Sequence, residues 1–287
     1  NGIHRFGNIN DFEVYNFGHL FTAACLYKRL TGKESFLNIA KKAAAYLKAM
    51  YEENARTGQV QTAVCPSHYM GLIEMYRTTK DPLYLDLAAL AIHLRDRITG
   101  GTDDNQDKLP VKEHEKIVGH AVRANYLYAG VADLCAEADD ADYRRVLDHV
   151  WDDLMDHKIY ITGGCGALYN GASPYGNFFE HQLVHQAYGY DYQLPNVTAY
   201  NETCASIGHV LWAYRMFMLK PEAKYFDAIE RSMLNTNLAA VSLDGRHFFY
   251  ENMLRRTKKL GYKLIWPLTR SQYILSYCCP PNPARGN

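Results

Sequence analysis

The sequence predicts an all-α protein, a toroid of helical hairpins, and three observations carry that expectation. Apolar residues recur at helical spacing in consecutive pairs of segments, a His-to-Tyr interval repeats with the pairs, and the main break in the pattern is one Gly- and Tyr-rich stretch.

The first helix is predicted over residues 13–31, where Thr31-Gly32 supplies a stop signal, and its partner over 34–52. Further pairs are predicted at 66–79 with 82–98, at 117–137 with 140–155, and at 201–218 with 222–239. His19 stands eight residues before Tyr27, His68 eight before Tyr76, and His120 eight before Tyr128. Each follows a small residue (Gly18, Ser67 or Gly119), and the offsets of 49 and 52 residues are those of a repeat architecture. In the fourth hairpin Cys204 stands eight residues before Trp212, in the register that histidine holds elsewhere. If alternate helices are the inner staves of a toroid, His19, His68, His120 and Cys204 converge on one pocket at its mouth. The competing reading has each histidine satisfying its own helix.

Residues 160–200 form a long loop-rich segment, and loops of this length inside a compact domain are usually functional. After Leu238, Asp244-Gly245 and His247-Phe248-Phe249-Tyr250 predict a turn and a short strand, hence a β-hairpin near 245–275.

Composition narrows the function classes. The 287 residues are 48% hydrophobic, with 31 Lys+Arg against 31 Asp+Glu, so no basic footprint for nucleic acid is present. No apolar run reaches the roughly 20 residues that span a bilayer. Asn1 begins no visible signal peptide, and the expected location is cytoplasmic or periplasmic, of bacterial type. Tyrosine is abundant, 23 residues, and its ring and hydroxyl suit polyol sites as well as ordinary packing between helices. Seven cysteines without regular spacing argue for reduced thiols rather than a disulfide scaffold.

Glu202, Cys204, Cys278 and Cys279 supply one carboxylate and three thiols, a donor set suited to tetrahedral zinc. The helix start near Glu202 adds positive dipole character that favours thiolate at Cys204. The alternative is a set of unremarkable core cysteines, since free Cys is commonly buried.

Four linked motifs then carry a resemblance. They are Leu194-Pro195-Asn196-x-Thr198-x-Tyr200-x-Glu202-Thr203-Cys204, Gly119-His120-Ala121-Val122-Arg123-Ala124, Phe248-Phe249-Tyr250-x-Asn252, and Cys278-Cys279-Pro280-Pro281-Asn282. In this order they resemble glycoside hydrolase family 127, the β-L-arabinofuranosidase family, over essentially the whole chain. Val14-Tyr15-Asn16-x-Gly18-His19-Leu20 is similar to that family's pattern near its first pocket histidine. The resemblance implies an (α/α)6 barrel, here as a single domain over 1–287 truncated at both ends. It further implies C-terminal β-sandwich domains in the full protein and a possible homodimer through them. It implies that Glu202, Cys204, Cys278 and Cys279 hold Zn2+, and that Cys278 is the nucleophile. His19, His68, His120 and Tyr250 fall where the family contacts the sugar of its oligosaccharide or glycoside substrate.

One position departs from the family. The acid/base glutamate is expected sixteen residues before the metal-binding glutamate, and that position is Gln186, an isostere that cannot give up a proton. Three explanations compete. Glu180, His181 or His185 supplies the proton; or the substrate is itself acidic, a branched sugar such as aceric acid, and a neutral amide avoids repelling it; or the chain binds sugar without cleaving it. A zinc-dependent retaining furanosidase, a carbohydrate-binding pseudoenzyme and a helical interaction scaffold are therefore the readings to separate.

Overall fold

The computed structural model describes residues 12–60, 63–175, 182–257, 266–273, 276 and 278–286. The expected hairpins are α1 (Glu13–Thr31) with α2 (Ser35–Thr57), α3 (Ser67–Thr79) with α4 (Pro82–Arg95), α5 (Ala121–Ala138) with α6 (Ala141–His157), and α7 (Thr203–Leu219) with α8 (Ala223–Ser232). A π-helical turn, Met233–Asn237, extends α8, and a short α9 (Pro281–Gly286) follows the vicinal cysteines.

Local chemistry sets several boundaries. Gly32 and Gly58 adopt left-handed φ values of 73° and close α1 and α2 by donating back to Lys28 O and Asn54 O. Asp81 and Asp140 are N-caps whose carboxylates accept from the first turns of α4 and α6, each worth about 1 kcal/mol. Helix α5 starts at Ala121 rather than near 117, because Asp153 holds Ile117 N and Gly119 takes φ 70°.

Helices α1, α3, α5 and α7 are the inner staves and run parallel. Gly18 lies so close to α3 that a Cβ there would sit 2.2 Å from Ser67 Oγ, so α1 and α3 meet through small residues. Farther along the same pair, Arg29 reaches Glu74 and Thr78. Between α5 and α7, Asn125 Nδ2 donates to Ala205 O, and at the other end Asp133 accepts from Arg215 of α7 and Arg77 of α3. The inner helices thus put their N-terminal ends at one mouth and an Arg-Asp-Arg clamp at the opposite end. Trp151, Trp212, Tyr128 and Tyr225 fill the core under the last two hairpins.

Large exposed apolar side chains concentrate on the first and last hairpins. Leu26, Leu30, Ile39 and Tyr46 are exposed on α1 and α2, and Tyr214, Met218 and Phe226 on α7 and α8, whereas none is exposed on α3 to α6 among the described residues. No helix of the described residues is long and apolar enough to cross a membrane.

The two-stranded sheet lies elsewhere than expected. Strands β1 (Leu168–Ala172) and β2 (Leu183–Ala187) pair antiparallel inside the Gly- and Tyr-rich segment, with Leu168 opposite Ala187. Near 245–275 the described residues form only single bridges, Val241 with Phe248 and Phe248 with Ser271, and 258–265 lie outside the described residues. The aromatic run Phe248 to Tyr250 docks onto the start of α7, through Thr203 N to Tyr250 O and Thr203 Oγ1 to Phe249 O.

Candidate active site

The mouth formed by the inner-helix N-termini holds a cavity of about 710 Å³. Its wall includes His19, His120, Arg123, Gln186, Tyr250 and the Glu202–Cys204–Cys278 cluster.

The cluster is assembled from three distant pieces of chain. Glu202 is the N-cap of α7 and Cys204 lies in its first turn. The segment 249–252 pairs with 200–203, with Asn252 bonding Asn201 O and Thr203 Oγ1, and brings Tyr250 alongside. Cys278 and Cys279 arrive just before α9, where Asn282 donates to Cys204 Sγ at 3.1 Å and so ties the two pieces together. Cys204 Sγ is 3.2 Å from Cys279 Sγ, and Cys278 Sγ is 3.8 Å from Cys279 Sγ and 3.7 Å from Glu202 Oε1. All four ligand atoms lie within 4.8 Å of one another.

A cation fits this donor set. Zinc–sulfur bonds of about 2.3 Å in a tetrahedron put sulfurs about 3.8 Å apart, which is the spacing of the vicinal pair. Glu202 Oε2 is buried without a hydrogen-bond partner, an arrangement that is costly for a carboxylate unless a cation meets it. Burial pushes Glu202, Cys204 and Cys279 toward their protonated forms, whereas hydrogen bonds from Cys204 and Cys279 lower Cys278 strongly. Cys278 is thus the thiol of the set whose surroundings favour the deprotonated form. Cys278 is also the half-buried member, while Glu202, Cys204 and Cys279 are buried. Tyr250 Oη lies 3.6 Å from Cys278 Sγ, and Trp266 stacks on the Tyr250 ring at 3.7 Å.

Across the cavity the groups are different. His120, the N-cap of α5, pairs through Nε2 with Gln186 Oε1 at 2.8 Å. Burial, with Arg123 and His185 nearby, pushes the His120 imidazole down to about 3, so it is neutral at pH 7 and its Nε2–H is the donor. The Gln186 carbonyl is thereby committed to His120, which leaves its NH2 for the cavity. Gln186 sits at φ 50°, a left-handed value that non-glycine residues hold only when surrounding structure imposes it. His185 turns to Asp104, with Nδ1 at 2.9 Å from Oδ2, and meets His120 edge-on.

His19 lines the cavity and packs edge-on against Tyr15 at 4.3 Å. His68 does not reach it. Ser67 Oγ donates to Tyr15 O and so turns the start of α3 toward α1. The next residue points about 100° away, and the fully buried His68 bonds Tyr51 Oη of α2 at 2.8 Å. Its imidazole is pushed down to about 3 by burial. The repeat therefore predicts three of its four pocket residues, and His68 is a core histidine. Glu180 and His181 lie outside the described residues.

Sequence reasoning assigned no role to Arg123, Cys65, Asn282 or Tyr15, all of which line the cavity. Arg123, Tyr15 and Asn282 lie inside the quoted motifs, but their direction toward the cavity needs the tertiary structure. Cys65 carries no sequence signal, and its wall position depends on a left-handed φ of 51°.

The family model for the β-L-arabinofuranosidase GH127 catalytic domain matches residues 1–287. A non-reducing end β-L-arabinofuranosidase from Bifidobacterium longum subsp. longum is 29% identical, over 95% of this chain and 43% of its own length. A solved glycoside hydrolase aligns with TM-score 0.88 and 47% identity, over 96% of this chain and 46% of its own. A GH127 β-L-arabinofuranosidase from Geobacillus stearothermophilus T6 aligns with TM-score 0.82 and 31% identity, over 99% and 46%. The chain thus spans under half the length of these relatives. Solved helical enzymes at identities of 15% and below share the fold alone, that of (α/α)6 barrels. With its matched model, its barrel fold and its Glu-Cys-Cys-Cys cluster at the mouth, the chain belongs to the GH127 catalytic-domain family.

Proposed function

We propose that the protein is a zinc-dependent retaining glycoside hydrolase that attacks a furanoside with Cys278. The observation that carries this reading is the arrangement of the cluster. Glu202, Cys204 and Cys278 line the 710 Å³ cavity, and Cys278 is the least buried of the four.

Retention requires a nucleophile on one side of the anomeric carbon and a group that assists the leaving oxygen on the other. Cys278 Sγ is the nucleophile: it displaces the aglycone to form a thioglycosyl bond that water later hydrolyses. Glu202, Cys204, Cys278 and Cys279 would hold the zinc, which when bound keeps the sulfur deprotonated and fixes its direction. Tyr250, held by the stacked Trp266, hydrogen-bonds near the sulfur, and His19 with Tyr15 forms a polar-aromatic edge for sugar hydroxyls. Gln186, on the opposite wall, can hydrogen-bond the leaving oxygen but cannot protonate it. His185, next to Gln186 and half-exposed, is the described titratable group closest in sequence to that role.

A second reading, a sugar-binding protein without turnover, is favoured by Gln186 alone. Incubating the zinc-loaded protein with para-nitrophenyl β-L-arabinofuranoside and with plant-type arabino-oligosaccharides separates the two. Pentose release that is lost in Cys278→Ser supports the hydrolase; sugar binding with no release by the wild type rejects it.

A further inference from the structure

We infer that Asn125 is a positioning residue that fixes the spacing between the Gln186 wall and the Cys204 end of the cluster wall. The inference rests on the reading of this cavity as a retaining glycosidase site, in which that spacing governs the reaction.

Asn125 lies on α5 and is fully buried. Its Nδ2 donates at 2.9 Å to Ala205 O, the carbonyl of the residue after Cys204 in the first turn of α7. Its Oδ1 accepts at 2.9 Å from the hydroxyl of Tyr188, two residues beyond Gln186. The amide's orientation is forced, because a peptide carbonyl can only accept and so must meet the NH2. Burial pushes the Tyr188 phenol well above its ordinary range, so the hydroxyl keeps the proton it donates. One buried side chain therefore joins the strand end that carries Gln186 to the helix start that carries Cys204, across 63 and 80 positions of sequence.

The surroundings leave this joint little play. Cys165 Sγ fills the corner, 3.4 Å from Tyr188 Oη and 3.5 Å from Asn125 Nδ2, and the adjoining Gly166 O accepts from Asn201 N, just before Glu202. A Cβ on Gly208 would sit 3.0 Å from Asn125 Cβ, so α5 and α7 are in close contact at this level. An apolar residue of similar shape would fill the site with nothing to satisfy, whereas a fully bonded buried amide specifies one arrangement. Gln186 needs such a hold. Its left-handed backbone persists only where neighbours over-determine it. The tethers are the Ala187–His120 bridge, Tyr188 N to Gly119 O, and Tyr188 Oη to Asn125. The first two fasten the segment to the start of α5, and the third continues to α7. Retention depends on how far the nucleophile stands from the opposite group, and a displacement of about 1 Å can cost about 100-fold in rate.

Two readouts on the zinc-loaded, native-length protein test the assignment, with Tyr188→Phe to break one arm and Asn125→Leu to break both. In hydrogen–deuterium exchange, Tyr188→Phe should speed residues 184–188 by about tenfold, and Asn125→Leu should speed both 184–188 and 203–206 to that extent. Helices α2 and α4 should keep wild-type rates, because a general loss of stability would speed them too. On arabino-oligosaccharides each variant should lower kcat roughly 10- to 100-fold, with KM and bound zinc within about threefold of wild type. The double variant should be no slower than Asn125→Leu, since both substitutions break one device. The proposal is overturned by unchanged exchange at 184–188, by exchange raised uniformly over the helices, by additive losses in the double variant, or by a kcat within about twofold of wild type. If Asn125→Leu fails to fold, Asn125→Ser, too short to reach both partners, takes its place. A wild type that releases no sugar rejects the hydrolase reading, and the exchange pattern then decides the role of Asn125 by itself. Sugar release by the wild type, with kcat kept in both variants, upholds the hydrolase reading and rejects this one.

Discussion

The cavity has two unlike walls. One is soft and mostly buried, three sulfurs and a carboxylate drawn from residues 202–204 and 278–279 and braced by Asn282 and Tyr250. The other is hard and hydrogen-bonded, where His120, Gln186, Arg123, Asp104 and His185 answer one another at 2.8–3.1 Å. In the proposed mechanism the soft wall supplies the attacking sulfur, Cys278, which is the least buried member of the cluster. The hard wall can orient and recognise but, at Gln186, cannot protonate. The difference teaches that the two walls are built from separate pieces of chain: the contacts of Gln186 and His120 on the hard wall involve none of the four cluster residues.

Perturbing the soft wall should have the largest effect. Cys278→Ser is expected to lower turnover at least ~10³-fold, about 4 kcal/mol or more in the barrier, because a serine hydroxyl is a far weaker nucleophile near neutral pH. Circular dichroism should show the helices intact, and activity within tenfold of wild type would remove the thiolate from the mechanism. Stripping the metal with a chelator should next lower the melting temperature by several degrees, since binding free energy for a buried site is folding free energy. Zinc should restore it, and magnesium, a hard cation that prefers oxygen, should not. An unchanged melting curve would mean that the cluster is ordinary core.

The hard wall should respond more mildly. His120→Ala frees the Gln186 side chain to rotate and is expected to cost roughly 10- to 100-fold in kcat/KM, the range for a lost positioning contact. Metal content should stay constant, and a fall in bound zinc would join the two walls that the geometry keeps apart.

The smallest effect is on acid stability. His68 and His120 are pushed down to about 3, and His114 and His209 to about 4, in each case chiefly by burial. The unfolded chain takes up these protons near pH 6.5. Between that value and 3–4 the unfolded state binds more protons, so stability falls as pH falls, by up to ~1.4 kcal/mol per pH unit for each group. His209 stacks on Trp151 and neither of its ring nitrogens has a partner, so His209→Phe should flatten the acid limb by about one proton while sparing the cavity. An acid limb of unchanged slope in that variant would show that His209 does not contribute to it.

Much of the fold was legible because helical hairpins are local. Apolar spacing located all eight long helices, and the Asp81, Asp140 and Gly32 signals act within a turn of the residues that carry them. The β1–β2 pair was not expected from the sequence, and the strand signal at Phe248 to Tyr250 leads to pairing with α7's start, a contact no local pattern encodes. The repeat led to His19, His120 and Cys204 at the cavity, but also to His68. Equal spacing sets the level along a stave. Which way a side chain faces depends on how that stave is rotated, and Ser67 rotates α3 by binding Tyr15 O.

The sequence by itself determined the chemistry available: a carboxylate, three thiols, three histidines in register, and an amide at 186 in place of an acid. Residue identity decides what can ionise, ligate or donate, and no folding changes Gln186 into an acid. Tertiary structure alone decided which of these groups share a space. It placed Cys278 at the open edge of the cluster, sent His68 to the core, and brought Arg123 to the wall beside Gln186. Those outcomes depend on contacts between residues far apart in the chain, 78 positions for Cys204 and Asn282. Burial and direction at that range are properties of the packed chain, not of any stretch of it.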